Sequence, residues 1–492
     1  MRKIIATTVF AVAFTASFAA YAAKDSVTIG MRLEPPGLDP TTGAAAAISQ
    51  ITLYNLFEGL TKITPDGGVG PGLATSWTAS DDFKTWTFKL VEGTTFHDGS
   101  VFDAGDVKFT FERNAGKDSK NKRKDRFANM ASIEAVDAST LKIELKNTNP
   151  DFLFNLGEST AVIVAPETAA TNKTNPIGTG PYKFSKWTKG DSVELVKYDA
   201  WRNASALKIN KVTFRFVSDS AAQVAAMLAG DLDLLPIGPP RESVPQFEAH
   251  ADFQVQEGNT NGETILAMNN TSKYLSDIRV RRAVQHAINR QELIDAAEFG
   301  YGTPIGSHFA PHHPAYVDLT GVYPYDPAKA KALLAEAGYK DGLTLTLKLP
   351  PPAYARRGGE VIAAMLEEVG IKTEIENVEW AQWLDVVYKK RNYDLSIVSH
   401  VEPMDIGIYA RDSYYYNYKS PEFNAIYAKA AKELDVAKRA EYLAQAQRKL
   451  TEDAVNGYLF QLAKTAVFRK GLTGVWKDSH IFVNDVSAMS WQ

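Results

Sequence analysis

The residues best suited to chemistry crowd together between 393 and 418, in the run YDLSIVSHVEPMDIGIYARDSYYYNY. Leu395, Ile397 and Val398 read as a short buried strand. His400, Glu402 and Asp405 then fall within six positions around Pro403, and five tyrosines lie between Tyr409 and Tyr418. Imidazoles and carboxylates just beyond a strand end suit a ligand site, because binding groups sit on loops that a rigid scaffold holds. The plain alternative is a polar loop with a tyrosine-rich surface turn. Glu402 and Asp405 could also be pictured as the carboxylate pair of a glycosidase, and His312-His313 as metal ligands. Adjacent side chains on an extended chain point apart, so His312 and His313 are not expected to share an ion and a mobile loop is expected instead. No G-x-S-x-G, H-E-x-x-H or P-loop pattern occurs. Neither a catalytic residue nor a metal site nor a cofactor is expected, and a secreted hydrolase is only a remote alternative.

A chain of 492 residues exceeds one simple core and implies two to four domains. Its first residues read as an export signal. Arg2 and Lys3 form a basic start, the stretch 4–20 is apolar and uncharged, and Ala20-Tyr21-Ala22 supplies a small-x-small cleavage pattern, placing the cut after Ala22. No later stretch approaches the roughly 20 apolar residues of a membrane-spanning helix. Loss of Arg2 and Lys3 takes the net charge from −4 to −6, with 52 basic residues against 58 acidic ones. Mild acidity of this kind argues against nucleic acid and against an anionic membrane surface as partners. Cysteine is absent, so the exported chain is held by its core alone and offers no thiolate. With no lipobox cysteine either, the expected location is the periplasm.

These groups need elements to hold them, and the patterning supplies two kinds. Residues 26–31 alternate as a strand and run into the proline-rich Glu34-Pro35-Pro36-Gly37-Leu38-Asp39-Pro40. The stretch 44–60 reads as a helix. From 59 to 111 the pattern is β-rich, with Val107, Phe109 and Phe111 alternating like a strand. Phe96-His97-Asp98-Gly99 reads as a hairpin turn, and the basic run 117–126 as a solvated loop. Two glycines and two prolines in Pro176-Ile177-Gly178-Thr179-Gly180-Pro181 mark a domain crossing. Strands follow at 192–197 and 212–217. From 277 onward helices and strands alternate: Asp277 and Asp326-Pro327 cap helices, residues 343–349 and 371–375 form strands, and a helix begins near 356. Such alternation predicts a mixed sheet with crossovers. Two short strands are expected near 458–462 and 466–469.

The order of several motifs resembles the extracellular solute-binding proteins of the oligopeptide, dipeptide and nickel type, family 5. They are Leu38-Asp39-Pro40, Leu56-Phe57-Glu58-Gly59-Leu60, Leu73-Ala74-Thr75-Ser76-Trp77, Phe96-His97-Asp98-Gly99, Gly178-Thr179-Gly180-Pro181-Tyr182, Asn269-Asn270, Val280-Arg281-Arg282-Ala283 and Ala287-Ile288-Asn289-Arg290. The resemblance covers nearly the whole mature chain. It implies an α/β, two-lobed periplasmic binding protein of type II, cluster C-like, with an extra β-rich domain inserted in the N-terminal lobe. Lobe I would comprise 23–59, 178–265 and 471–492, the insertion 60–177, and lobe II 266–470, after a signal peptide at 1–22. The ligand would lie between the lobes, and closure would present it to the permease and ATPase subunits of an importer.

The resemblance also assigns roles. Tyr354-Ala355-Arg356-Arg357 matches a double-arginine element at a helix start, so Arg356 or Arg357 would hold a peptide carboxylate through its two-pronged guanidinium. Peptide-binding members carry a tryptophan and then an aspartate after the strand that opens the 393–418 run. Here the chain departs: His400 stands near the tryptophan's place, and Glu402 or Asp405 would pair with the ligand's ammonium. Glu34 would lie at the pocket mouth. Tyr409 and Tyr414 either wall the cleft by stacking or belong to the packing. A short peptide is the expected solute; an opine, an oligosaccharide or a nickel chelate is the alternative, with His400 the first suspect for a metal.

Overall fold

Two long strands set the architecture of the computed structural model, which describes residues 24–43 and 45–492. Phe253–Met268 and Gly457–Arg469 pair antiparallel from Phe253↔Arg469 to Leu266↔Gly457. Their side chains enter different cores. Phe468 packs with Val27, Ile29 and Phe214, whereas Leu266 and Phe460 pack with Val280, Leu347 and Ile362. Both strands therefore cross from one lobe to the other, and they lie within one eleven-stranded mixed sheet. The signal expected at 1–22 lies outside the described residues.

On the first side Ser26–Met31 runs parallel to Lys211–Phe216, followed antiparallel by Ser192–Lys197 and Tyr182–Thr188. The period of two buries Val27, Ile29, Val212 and Phe214 together. The crossing segment at Gly178-Thr179-Gly180 presses against the backbone of residues 55–56. A Cβ on Gly178 would stand 2.1 Å from the Leu56 carbonyl oxygen, and one on Gly180 would stand 2.4 Å from that of Asn55. Only glycine allows such an approach. Thr179 Oγ1 donates to Glu58, which also holds Arg202.

Strands Ala74–Ala79, Thr85–Leu90, Thr140–Leu145 and Met130–Asp137 make a separate four-stranded antiparallel sheet in that order. Its core joins Phe88, Phe111, Ile143 and Phe152. The expected strand at 107–111 is instead part of the helix Ala104–Ala115. Asp103 and Asp106 form a reciprocal cap there, and Val107 and Phe111 share one face four residues apart, a period that outweighs the alternation.

On the second side Leu343–Leu349 runs parallel to both Ile371–Asn377 and Leu395–His400. Helices Ile278–His286, Arg290–Glu298, Pro327–Glu336 and Ala353–Glu368 cover one face of these strands, and Pro421–Ala430 and Val436–Glu452 pack with the core on the other. Strands in this arrangement present ligand loops at their carboxyl ends, where residues 350–357 and 401–405 follow.

Two further expectations change. The helix expected over 44–60 spans only Ala46–Thr52. Leu53 is extended and Tyr54 has φ 61°, because the Asn55 amide bonds Ile51 and ties the chain to the Asn484 carbonyl. The two short strands near 458–469 are one, Gly457–Arg469. Lys464 interrupts the apolar pattern, but its stem is buried and its ammonium donates to the Trp476 carbonyl.

Candidate functional site

Where the crossing strands pass between the lobes their register breaks: Asn259 pairs with Ala463 and Glu263 with Gln461, so three residues oppose Leu462 alone. Such a bulge bends the strand and re-aims side chains. Thr260 and Asn261, on the bulge, line a cleft of about 500 Å³, within the roughly 300–1,000 Å³ of ordinary small-molecule sites. Asn261 donates to the His480 carbonyl, and its carbonyl meets His312 Nε2 at 3.0 Å, so groups from both sides are tied to the bulge. The remaining walls come from the helix Ala46–Thr52, from Lys122, Arg123 and Glu158 beside the four-stranded sheet, from residues 479–484, and from Val401, Glu402 and Pro403.

The charges in this cleft divide into committed and uncommitted groups. Glu158 is bound by Arg126. Arg241 meets Glu298 at 3.2 Å and also donates to Thr465 Oγ1 and the Ala463 carbonyl. Among the described residues Glu402, Lys122, Arg123 and Lys464 form no ion pair with another side chain. Burial pushes the Lys464 ammonium down to about 8, so it is charged at neutral pH with donors to spare beyond its bond to Trp476. One uncommitted carboxylate thus shares a mostly apolar cleft with three uncommitted cations.

Of the residues expected at the site, Glu402 lines the cleft. His400 and Asp405 sit just behind it. Asp405 Oδ1 meets His308 Nε2 at 2.6 Å, and Oδ2 meets His400 Nδ1 at 3.5 Å. Burial works against the charge of Asp405, yet the two imidazoles hold its carboxyl well below the usual carboxylate range. Facing them is Glu263, buried on the crossing strand; loss of water and the nearby Asp405 push its carboxyl well up. Tyr409 is in the packing, fully within a core with Tyr416, Phe423 and Tyr458, and its hydroxyl accepts from Asn456 Nδ2 at 3.1 Å. Tyr414 is half-buried against Tyr388, the rings 5.7 Å apart.

Three others are placed outside the cleft lining. Arg356 and Arg357 occupy the first turns of the helix Ala353–Glu368, where Arg356 pairs with Glu379 at 3.2 Å and Arg357 with Glu242 at 3.3 Å. Arg357 also lies over the Phe299 ring. Glu34 accepts from Trp187 Nε1 at 2.8 Å and from the Gly190 amide.

Sequence patterning missed five participants. Lys122 and Arg123 lie on a turn of the basic run expected to be a solvated loop, where Lys122 is exposed, and both also border the cleft. Lys464 and Glu263 are single charges inside otherwise apolar strands, the one local signal that marks them. His308 had no signal, because its partners Asp405 and Tyr409 are about a hundred residues away. His97 does close a tight turn, with Gly99 at φ 91°, and its ring docks on the crossing segment between the Gly178 amide and the Gly180 carbonyl. The histidines at 312 and 313 diverge as expected of neighbours: His312 faces Asn261 while His313 stacks on Phe309 at 3.9 Å.

Residues 68–421 match the model of the bacterial extracellular solute-binding proteins, family 5 Middle. The glutathione-binding protein GsiB of Salmonella paratyphi A is 32% identical over 373 residues, covering 75% of this chain and 72% of that one. Among solved structures, the substrate-binding protein CtaP of Listeria monocytogenes superimposes with a TM-score of 0.86 at 23% identity, over 96% of this chain and all of that one. The binding protein AgaA of A. tumefaciens R10, solved with agropinic acid, gives 0.78 at 24% identity, over 95% and 99%.

Proposed function

The chain belongs to the bacterial extracellular solute-binding proteins, family 5, and from that premise we propose that it is the periplasmic receptor of an ATP-binding cassette importer, capturing a short peptide between its lobes for delivery to a membrane permease. A receptor of this kind binds and releases its solute without turning it over. No helix among the described residues is long and apolar enough to cross a membrane.

The observation that carries the choice of solute is the charge division of the cleft. Glu402 is the uncommitted acid, and Lys122, Arg123 and Lys464 are the uncommitted bases. A small molecule with one ammonium and one or more carboxylates fits that set: the ammonium on Glu402, the carboxylates on the cations, and apolar parts against Ile237, Leu462 and Phe482. Each charged contact would replace water on a group that already faces the cleft, and bridging waters would tolerate different side chains. A peptide of two to four residues has this charge pattern. Glutathione, which the relative GsiB is named for binding, has it with one extra carboxylate.

In this arrangement Arg356 and Arg357 act at one remove from the solute, through the ion pairs they make at the lobe margin. The second reading is an opine such as agropinic acid, the compound in the AgaA complex, because opines too combine nitrogen with carboxylates. A thermal-shift panel separates the two. A ligand at a hundredfold its dissociation constant stabilises by about 2.7 kcal/mol. The proposal expects that shift from glutathione or a di- to tetrapeptide; a shift from opines alone, or from sugars alone, overturns it.

A further inference from the structure

Behind the cleft, three segments far apart in sequence bring metal-ligating groups to one point. Glu263 comes from the crossing strand just past its bulge, His308 from the loop after Gly302–Pro304, and Asp405 from the start of the 3₁₀ turn Asp405–Ala410. One ligand atom of each lies within 4.8 Å of the other two, and His400, Glu402 and Asp405 form a second such group. Glu263 is 3% exposed, and its Oε2 has no hydrogen-bond partner. A buried carboxylate oxygen without a partner costs the fold free energy unless something positive reaches it. His308 and His400 both already face Asp405, on its two opposite oxygens.

The outer partners are also in place. Metal-bound histidines hold their second ring nitrogen on an acceptor, which fixes tautomer and orientation. His308 Nδ1 faces Tyr409 Oη at 3.4 Å, and that hydroxyl is itself held by Asn456. His400 Nε2 faces Tyr416 Oη at 2.6 Å and Tyr415 Oη at 3.0 Å. Each imidazole therefore presents one nitrogen to the carboxylates and rests the other on a tyrosine. The buried tyrosines of the 393–418 run thus hold these imidazoles as well as filling the core.

We propose that Glu263, His308 and Asp405 form a resident site for one divalent transition cation of the zinc, nickel or cobalt class, with His400 steadying Asp405 from its other oxygen. One imidazole with two carboxylates, leaving a position open to water, suits these ions rather than calcium or magnesium, which take oxygen ligands alone. On binding, the inner nitrogen of His308 coordinates without a proton while the outer one keeps its proton toward Tyr409, and any proton displaced from His308 or Glu263 leaves to solvent. The cation neutralises both carboxylates and ties the crossing strand to the loop that carries Glu402. It enters from the cleft, past Glu402, the group's exposed member. The site is distinct from any cargo metal, since its ligands lie behind the solute-facing wall.

Cobalt titration into the untagged, chelator-treated full chain tests this. The expected result is saturable uptake of one cobalt per chain with no organic chelator present, and a visible absorption band of a four- or five-coordinate ion. Glu263→Gln, which keeps the side chain's shape, should abolish the band while the circular dichroism melt remains cooperative. Tyr409→Phe should weaken cobalt by about 10–100-fold, the usual effect of losing an outer partner. Absence of uptake by the natural chain, uptake unchanged in Glu263→Gln, or uptake only when free histidine is added would each overturn the proposal; the last would make the metal a cargo.

Discussion

Arg241 and Glu298 meet at 3.2 Å across the two lobes. Arg241 precedes Phe247, which packs with Leu235, Phe253 and Val467 on the first side of the sheet. Glu298 ends the helix Arg290–Glu298, whose Leu293, Ile294 and Ala297 belong to the core of the other side. One residue further on, Glu242 meets Arg357 at 3.3 Å. The two pairs run in opposite senses, base to acid and acid to base, so neither lobe margin carries an excess of one sign.

Glu298→Gln should loosen this margin. Its side chain is nearly buried, so the lost charge-assisted bonds are worth about 1.5–3 kcal/mol. Part of that loss appears as a smaller closed population, which lowers apparent affinity by the same fraction. Titration calorimetry should find solute binding weakened about tenfold or more, whereas Arg357→Ala, an exposed pair, should change it by less than about fivefold.

Lys464 predicts a pH limit to capture. Its ammonium is held down to about 8 by burial. Below that value it is charged and can hold a ligand carboxylate; above it the charge is lost, so affinity should be flat to about pH 7.5 and then fall by up to tenfold per pH unit. The stability of the unliganded chain runs the other way. Between about 8 and 10.5 the folded state has released a proton that the unfolded state retains, so this group adds stability as pH rises. Lys464→Met should remove the alkaline fall in affinity, and calorimetry at three pH values checks it.

Arg281 should prove structural. It lies within Ile278–His286 and donates to the carbonyls of Leu275, Ser276, Asp453 and Ala454 at 2.7–3.3 Å. Arg281→Met leaves those carbonyls short of donors, each worth about 1–3 kcal/mol when buried. A fall of several kcal/mol in denaturant unfolding is expected, with the solute affinity of the folded fraction unchanged.

These residues also show what could be read in the chain and what could not. Gly178, Gly180 and Arg281 belong to the motifs that carried the family resemblance, and each makes a backbone contact that leaves no latitude in residue type. The fold was legible for that reason. Helix and strand were confused only where two periods coexist, as at Val107, Phe109 and Phe111. The cleft was harder. Glu402 stood out because no core asks for an acid beside Pro403, but Lys122 and Arg123 look like any solvated basic run until the bulge at 260–262 places them opposite. Tyr409 was ambiguous between wall and core, and only the arrival of Asn456 and Tyr458, some fifty residues on at the start of the strand Gly457–Arg469, decides it. His308 acquires meaning from Asp405 and Glu263 alone, a convergence of three segments that no local pattern encodes.

The claim that Glu402 receives the solute's ammonium is tested most directly by titration calorimetry of one short peptide in two forms, with a free and with an acetylated amino terminus. The account predicts that acetylation weakens binding by about a hundredfold or more, the cost of a buried charge-assisted bond left unmade, and that Glu402→Gln binds both forms weakly and equally. Equal binding of the two forms by the natural chain would contradict it.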